Sequence, residues 1–210
     1  MPLQLGQVTV EWLGHDSFRI KGAGKVLYID PFQVEGEPAD LILVTHEHYD
    51  HCDPDAVNKL KKPDAVIVAP ENCAAKLGAI RKAVPNTTII EKQIDVRVVY
   101  AYNINKFREP GKVFHPKGFG VGYIITISGK RIYHAGDTDQ IPEMAKLGQI
   151  DLALLPVSGT YVMTAEEAAQ AARTIRPKVA VPMHYAKVVG TAQDAQKFKE
   201  LYDGDTIILG

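Results

Sequence analysis

Apolar positions along this chain fall into short runs rather than long helical stripes. Residues 8–13, 17–21 and 25–30 read as a strand meander, with Gly22-Ala23-Gly24 supplying the turn between the last two runs. Residues 41–44 are continuously apolar, as in a strand covered on both faces. Asp53-Pro54 joins an N-cap to a helix-opening proline, so a helix is expected from there toward Lys61. Residues 65–69 then predict a strand, and 71–83 a helix.

The second half repeats this plan. Residues 122–128, Gly129-Lys130 and 131–135 match the hairpin at 17–30, and Asp151-Leu152 answers Asp40-Leu41. A helix opens at Thr164-Ala165-Glu166-Glu167 with a capping box, in which Thr164 and Glu167 satisfy each other's free backbone donors. Pro177-Lys178-Val179 echoes Pro63-Asp64-Ala65, a last helix is expected from about Thr191 to before Gly204, and a short strand over 206–209. Two units of hairpin, buried strand, helix and strand each leave one sheet face bare. Packed sheet against sheet, they predict an α/β fold of four layers, αββα, in a single domain over 1–210.

Composition narrows the function classes. Lys+Arg number 24 against Asp+Glu 25, so no global basic excess advertises nucleic acid or an anionic membrane. No run has the length of a membrane-spanning helix, and the N-terminal residues lack the form of a signal peptide. The two cysteines, Cys52 and Cys73, suggest reduced thiols rather than a disulfide framework, and a cytoplasmic location.

The densest chemistry is Thr45-His46-Glu47-His48-Tyr49-Asp50-His51, directly after a buried strand. His46, His48, Asp50 and His51 offer imidazole and carboxylate donors that suit zinc, manganese or iron. Burying them without a metal would leave polar edges unpaired.

This H-x-H-x-D-H pattern resembles the metallo-β-lactamase superfamily, and the likeness continues along most of the chain. Gly136-Asp137-Thr138 and Pro182-Met183-His184-Tyr185 follow strands where that family places a bridging aspartate and a last histidine. Gly14-His15-Asp16-Ser17-Phe18 and residues 154–161 resemble the small hydrolase branch that contains ascorbate-6-phosphate lactonase. The resemblance implies a binuclear centre with zinc foremost and manganese or iron as alternatives. One ion would take His46 and His48, the other Asp50, His51 and His184, with Asp137 between them. The family's further histidine for the first ion is missing from Val99-Tyr100-Ala101-Tyr102-Asn103. His115, on the loop over 102–120, is the candidate to replace it, with Asn103 or water as alternatives.

His15 and Tyr185 are candidates to touch substrate, His15 as a proton donor and Tyr185 as an oxyanion donor; either could equally serve packing. His134 is read as an orienting or core residue, and Cys52 as a small buried one. Lys106, Arg108, Lys112 and Lys117 make the 102–120 segment either a basic flap over an anionic substrate or a solvated loop. The expected activity is attack by a metal-bound hydroxide on a small anionic lactone or phosphoester, with Asp50 positioning the nucleophile. The competing readings are a nucleotide or RNA phosphodiesterase, an iron-dependent redox enzyme, and a catalytically silent metal-binding protein. Nucleic acid is a disfavoured partner, and self-association is compatible with the resemblance.

Overall fold

In the computed structural model, which describes residues 1–210, the alternation near the N-terminus folds as expected. β1 (Leu3–Leu5), β2 (Val8–Gly14), β3 (Ser17–Gly22) and β4 (Lys25–Ile29) form an antiparallel meander that buries Val10, Ile20 and Leu27. β5 (Ala39–Leu43) and β6 (Lys61–Ala69) add in parallel, and β7 (Arg81–Lys82) completes a seven-stranded sheet. Between β5 and β6 lies α1 (Pro54–Leu60), opened by the Asp53 side chain accepting from Asp55 N and Ala56 N.

The second sheet contains β8 (Thr88–Glu91), β9 (Ile94–Ala101), β12 (Gly120–Ile127), β13 (Lys130–His134), β14 (Leu152–Pro156) and β15 (Val179–Met183). Their spatial order is β15-β14-β13-β12-β9-β8. β10 (Phe107–Glu109) and β11 (Lys112–Val113) pair apart from it as a small ribbon. α3 (Ala165–Ile175) carries the expected capping box of Thr164 and Glu167, and α4 (Ala192–Leu201) follows β15.

Two expected elements are shorter than the sequence suggested. The helix over 71–83 is a 3-10 turn, Glu71–Cys73, followed by α2 (Ala74–Leu77). Gly78 ends it at φ 75 with its N–H on Ala74 O, and the chain turns extended to lie beside β6. The strand over 206–209 reduces to one bridge between Thr206 and Ala180.

The repeat of the two halves holds down to individual bonds. β2 to β6 pair antiparallel, antiparallel, parallel, parallel, and β9 with β12 to β15 does the same. Asp40 accepts from Val26 N, and Asp151 accepts from Arg131 N, both at 2.9 Å. Val10, Ile20 and Leu27 share one buried cluster with Val96, Ile125 and Ile132 of the other sheet. α1 covers the far side of the first sheet with Val57 and Leu60 against Tyr28 and Ile42, while α3 and α4 pack against β14 and β15. The layers are therefore αββα.

Candidate metal centre

The site lies where strands of both sheets end. Residues 45–51 leave β5 and curl through a turn in which His51 N and Cys52 N both donate to His48 O. Gly136-Asp137 follows β13, and His184 follows β15. Three non-glycine residues here hold left-handed backbone: His15 (φ 53), Asp30 (φ 43) and His184 (φ 60). Such conformations cost about 1 kcal/mol or more each and persist only where surrounding bonds fix them. Those bonds cross between the sheets: His184 N donates to His15 O at 3.1 Å and Val121 N to Thr45 O at 3.0 Å. The buried Tyr123 hydroxyl donates to Val44 O at 2.6 Å.

Two clusters of donors result, with Asp137 between them. In the first, His48 Nδ1 lies 3.0 Å from His46 Nε2 and 3.2 Å from His115 Nε2. Donors at about 2.1 Å from one tetrahedral cation sit about 3.4 Å apart, so this spacing fits a shared ion. In the second, His51 Nε2 and His184 Nε2 each lie 3.4 Å from an Asp137 oxygen, Oδ1 and Oδ2 respectively. Asp137 Oδ2 is also 3.3 Å from His115 Nε2 and 3.9 Å from His46 Nε2. His51 Nε2, His184 Nε2, Asp137 Oδ1 and both Asp16 oxygens are buried without a hydrogen-bond partner. Buried polar atoms are rarely left unpaired, and these, in two donor groups that share His51, fit a cationic guest.

Each inward-facing Nε2 is set by a partner at the opposite ring nitrogen. Nδ1 of His51 faces Asp30 Oδ2 at 2.8 Å, that of His46 faces Thr45 Oγ1 at 3.0 Å, and that of His184 faces Ser158 Oγ at 2.9 Å. His115 Nδ1 faces Asn103 Oδ1 at 2.9 Å, and the same oxygen accepts from His115 N. In the neutral ring these partners keep the proton on Nδ1, so the Nε2 lone pair is the one that faces a cation.

Charge differs between the clusters. Burial, then the charge on His51, holds His46 well below the usual imidazole range; burial likewise lowers His48 and brings His115 to about 4. The first cluster is thus neutral at pH 7. Burial opposes charge on His51 and His184 too, but the carboxylates outweigh it. His51 rises well above its usual value and His184 to about 9. Burial would raise Asp137, yet His184, His51 and His115 hold it well below the carboxylate range, while burial pushes Asp16 up to about 8.

The structure brings together His46, His48, Asp50, His51, His115, Asp137 and His184. His115 reaches in because the 102–120 segment is anchored: Asn103 N donates to His115 O, and Asp139 accepts from Ile104 N and Asn105 N. Asn103 faces His115, Asp139 and Tyr161 rather than the cluster, so it positions His115 and is no substitute donor.

Tyr185 stands apart. Its hydroxyl points to Leu209 O at 3.4 Å and its ring stacks on Trp12, which corrects the oxyanion expectation in favour of packing. His15 is fully buried, with Nε2 on Asp50 Oδ2 at 3.1 Å, and does not line the cleft. It holds Asp50 rather than meeting substrate. His134 places both ring nitrogens on backbone, at Asp16 O and Gly136 N, and Cys52 is buried under the first sheet.

Asp16, Asp30, Thr45 and Ser158 were not singled out from the sequence. Only Asp16, beside His15 in a tight polar turn, carried a local signal for it.

A cleft of about 240 Å³ opens on the cluster, lined by His48, Asp50, His115 and Asp137 with Tyr49, Phe114, Tyr161 and Val188. A larger groove near α1 shares only Tyr49 with it and contains none of the donors. The basic flap is mostly neutralised: Lys106 pairs with Glu167 and Asp139, Lys112 with Glu109, and Lys117 with Glu143. Arg108 and Lys112 still line a recess beside His48.

Two sheets between helices, with a histidine-aspartate cluster at their shared edge, define the metallohydrolase class of the β-lactamase superfamily. The model of the beta-lactamase superfamily domain matches residues 9–184. The chain is 36% identical over 208 residues to a UPF0173 metal-dependent hydrolase of Thermococcus kodakarensis, covering 92% of each. It belongs to the UPF0173 metal-dependent hydrolases. A metal-dependent hydrolase from Parabacteroides distasonis superposes with a TM-score of 0.90 at 33% identity, covering 99% of this chain and 97% of that one. A metallo hydrolase of Ignicoccus hospitalis shares the fold, with a TM-score of 0.75 at 24% identity over 96% of this chain and 94% of its own. The protein is a metal-dependent hydrolase. None of its helices is long and apolar enough to cross a membrane.

Proposed function

We propose that the chain binds two divalent cations and hydrolyses a small anionic lactone or phosphoester in the cleft beside Asp137. The observation that carries this reading is Asp137 itself: a buried carboxylate within 3.4 Å of both clusters, opening onto the cleft. His46, His48 and His115 would hold one ion; Asp50, His51 and His184 would hold the other, with Asp137 shared. Bound there, the cations supply Lewis acidity for the scissile carbonyl or phosphoryl and an acidified water as nucleophile.

The chain's own groups supply the rest. Asp50 lines the cleft, and His15 together with His51 holds its carboxyl below the usual range despite burial, so it remains an acceptor at neutral pH. It is therefore placed to orient an attacking water by accepting its hydrogen. Tyr49, Phe114 and Tyr161 form walls that shed bulk water and seat the apolar part of a small substrate. Arg108, which lines the recess beside His48 without an ion-pair partner, favours a negatively charged substituent on that side.

The test is turnover of a panel of lactone, phosphomonoester, phosphodiester and thioester substrates by metal-loaded protein, with Asp137→Ala as control. Lactone or phosphomonoester hydrolysis lost in the variant supports the reading. Full metal loading without turnover on any substrate would leave a metal-binding protein instead.

A further inference from the structure

We propose that Asp16 is an additional ligand of the second cation, which makes that position rich in carboxylate and less discriminating than the first against a six-coordinate ion such as manganese(II). This rests on the reading of the cluster as a metal centre and extends it beyond the ligands that the sequence pattern implied.

Asp16 is fully buried, and neither carboxylate oxygen has a hydrogen-bond partner. Its Oδ2 lies 3.5 Å from His51 Nε2 and 3.8 Å from His184 Nε2. These separations resemble the 3.4 Å from Asp137 to the same two nitrogens. Donor atoms of His15, Asp16, His51 and His184 all fall within 4.8 Å of one another.

A carboxyl group with both oxygens unpaired is costly to bury in either protonation state. A cation facing His51 and His184 removes that cost, and nothing else in the structure meets those oxygens. The backbone keeps the group there: Asp16 O accepts from His134 Nε2 of the opposite sheet at 3.0 Å, and His15 O accepts from His184 N.

The donor count sets the preference. The first position offers three imidazoles and Asp137, a set that suits tetrahedral zinc. The second offers two imidazoles with Asp16, Asp50 and Asp137. Oxygen-rich sets of five with room for water favour larger, octahedral, harder cations. Zinc binds both positions more tightly in absolute terms, so the expected result is a smaller zinc-over-manganese ratio at the second.

The experiment titrates metal-stripped full-length protein with Zn²⁺ alone, Mn²⁺ alone, and Mn²⁺ after one equivalent of Zn²⁺, read by calorimetry and manganese EPR. Wild type should hold one zinc and one manganese per chain in the mixed titration. Asp16→Asn, which keeps the shape, should weaken the manganese step by about tenfold or more while the first zinc step stays unchanged. An unchanged manganese step and spectrum would overturn the proposal. Should the variant not fold, a manganese-soaked wild-type crystal decides: an Asp16 oxygen at about 2.2 Å from the ion supports it, and one beyond about 3 Å overturns it. Wild type that binds neither metal would sink the metal-centre reading itself, a different outcome from loss of the Asp16 contact alone.

Discussion

Asp30 accepts three hydrogen bonds: from Thr45 N at 2.7 Å, from Thr45 Oγ1 at 2.6 Å and from His51 Nδ1 at 2.8 Å. With its proton given to Asp30, Thr45 Oγ1 accepts from His46 Nδ1. One carboxylate therefore fixes the tautomer of two imidazoles, one in each cluster. Asp30→Asn keeps the volume but replaces one acceptor oxygen with an NH₂ that can only donate. If the amide oxygen stays on Thr45 N, its NH₂ meets Thr45 Oγ1 and His51 Nδ1. Both rings then relieve the clash by moving their proton to Nε2, the atom that faces the cation.

Regaining the binding tautomer costs an unmade buried hydrogen bond at each ring, about 1–3 kcal/mol. At about 1.4 kcal/mol per tenfold, that is a loss of roughly 10- to 100-fold in affinity, the range seen for groups that orient metal-bound histidines. Both metal positions should weaken. Calorimetry of metal-stripped protein with Zn²⁺ against a competing chelator reads the two steps separately, with circular dichroism confirming the fold. Ser158→Ala supplies the contrast, because Ser158 meets only His184 and should weaken the second step alone. Unchanged affinity at both positions in Asp30→Asn would refute the tautomer argument. Weakening confined to the second step would refute the relay through Thr45.

Further outcomes follow from the same geometry. His115→Ala should reduce bound metal from two ions to one per chain by elemental analysis, while Asn103→Ala should weaken the same step without abolishing it. Gly136 sits at φ 64, and an added Cβ would lie 2.7 Å from Val121 O, so Gly136→Ala should displace Asp137. Metal loading and thermal stability should fall together in that variant. In metal-free protein, His115 falls from 6.5 to about 4, so its stability contribution is present above 6.5 and lost as pH drops through 4. That is about 3 kcal/mol by linkage. His184 rises to about 9, so its contribution is present below 6.5 and lost as pH climbs through 9. Denaturant titrations across pH should show stability falling on both sides of about 6.5 without metal, and a flatter alkaline side with it.

Much of this arrangement was readable in the chain because its causes are local. Alternation in 8–30 and the apolar run at 41–44 specify strands by burial alone, and Thr164 with Glu167 specifies a helix start by donor and acceptor chemistry. The cluster at 46–51 was dense enough to declare itself. His115 could be suspected only by elimination, because its approach depends on Asn103 and Asp139 pinning a loop whose ends are closed by contacts distant in sequence. Asp30 and Ser158 were invisible for the same reason. Each is an ordinary polar residue after or near a strand until the fold sets it behind a particular imidazole. The overlong helix at 71–83 failed on Gly78, whose left-handed backbone ends the turn where periodicity alone would have continued.

The two halves show how a repeated scaffold carries chemistry that is not repeated. Leu43 is the register partner of Val68 and Leu154 that of Val181 across parallel strands, which equates Leu43 with Leu154 and Val68 with Val181. By the same registers Asp30 corresponds to Ala135, and their N–H groups bond to Leu43 O and Leu154 O. His46 then corresponds to Val157, which is buried apolar, and His184 to Glu71, which is exposed and paired with Lys82. What both halves keep is the frame: the hairpin turns at Ala23-Gly24 and Ser128-Gly129, and the aspartates Asp40 and Asp151 that accept from the preceding strand. The donors belong to one copy each and meet because the sheets present their strand ends at one edge. Replacing Asp40 or Asp151 by Ala should therefore cost stability, about 1–3 kcal/mol for a charge-accepted bond, with both metal steps unchanged. A metal step that moved with Asp151 would mean that frame and site are not separable in this fold.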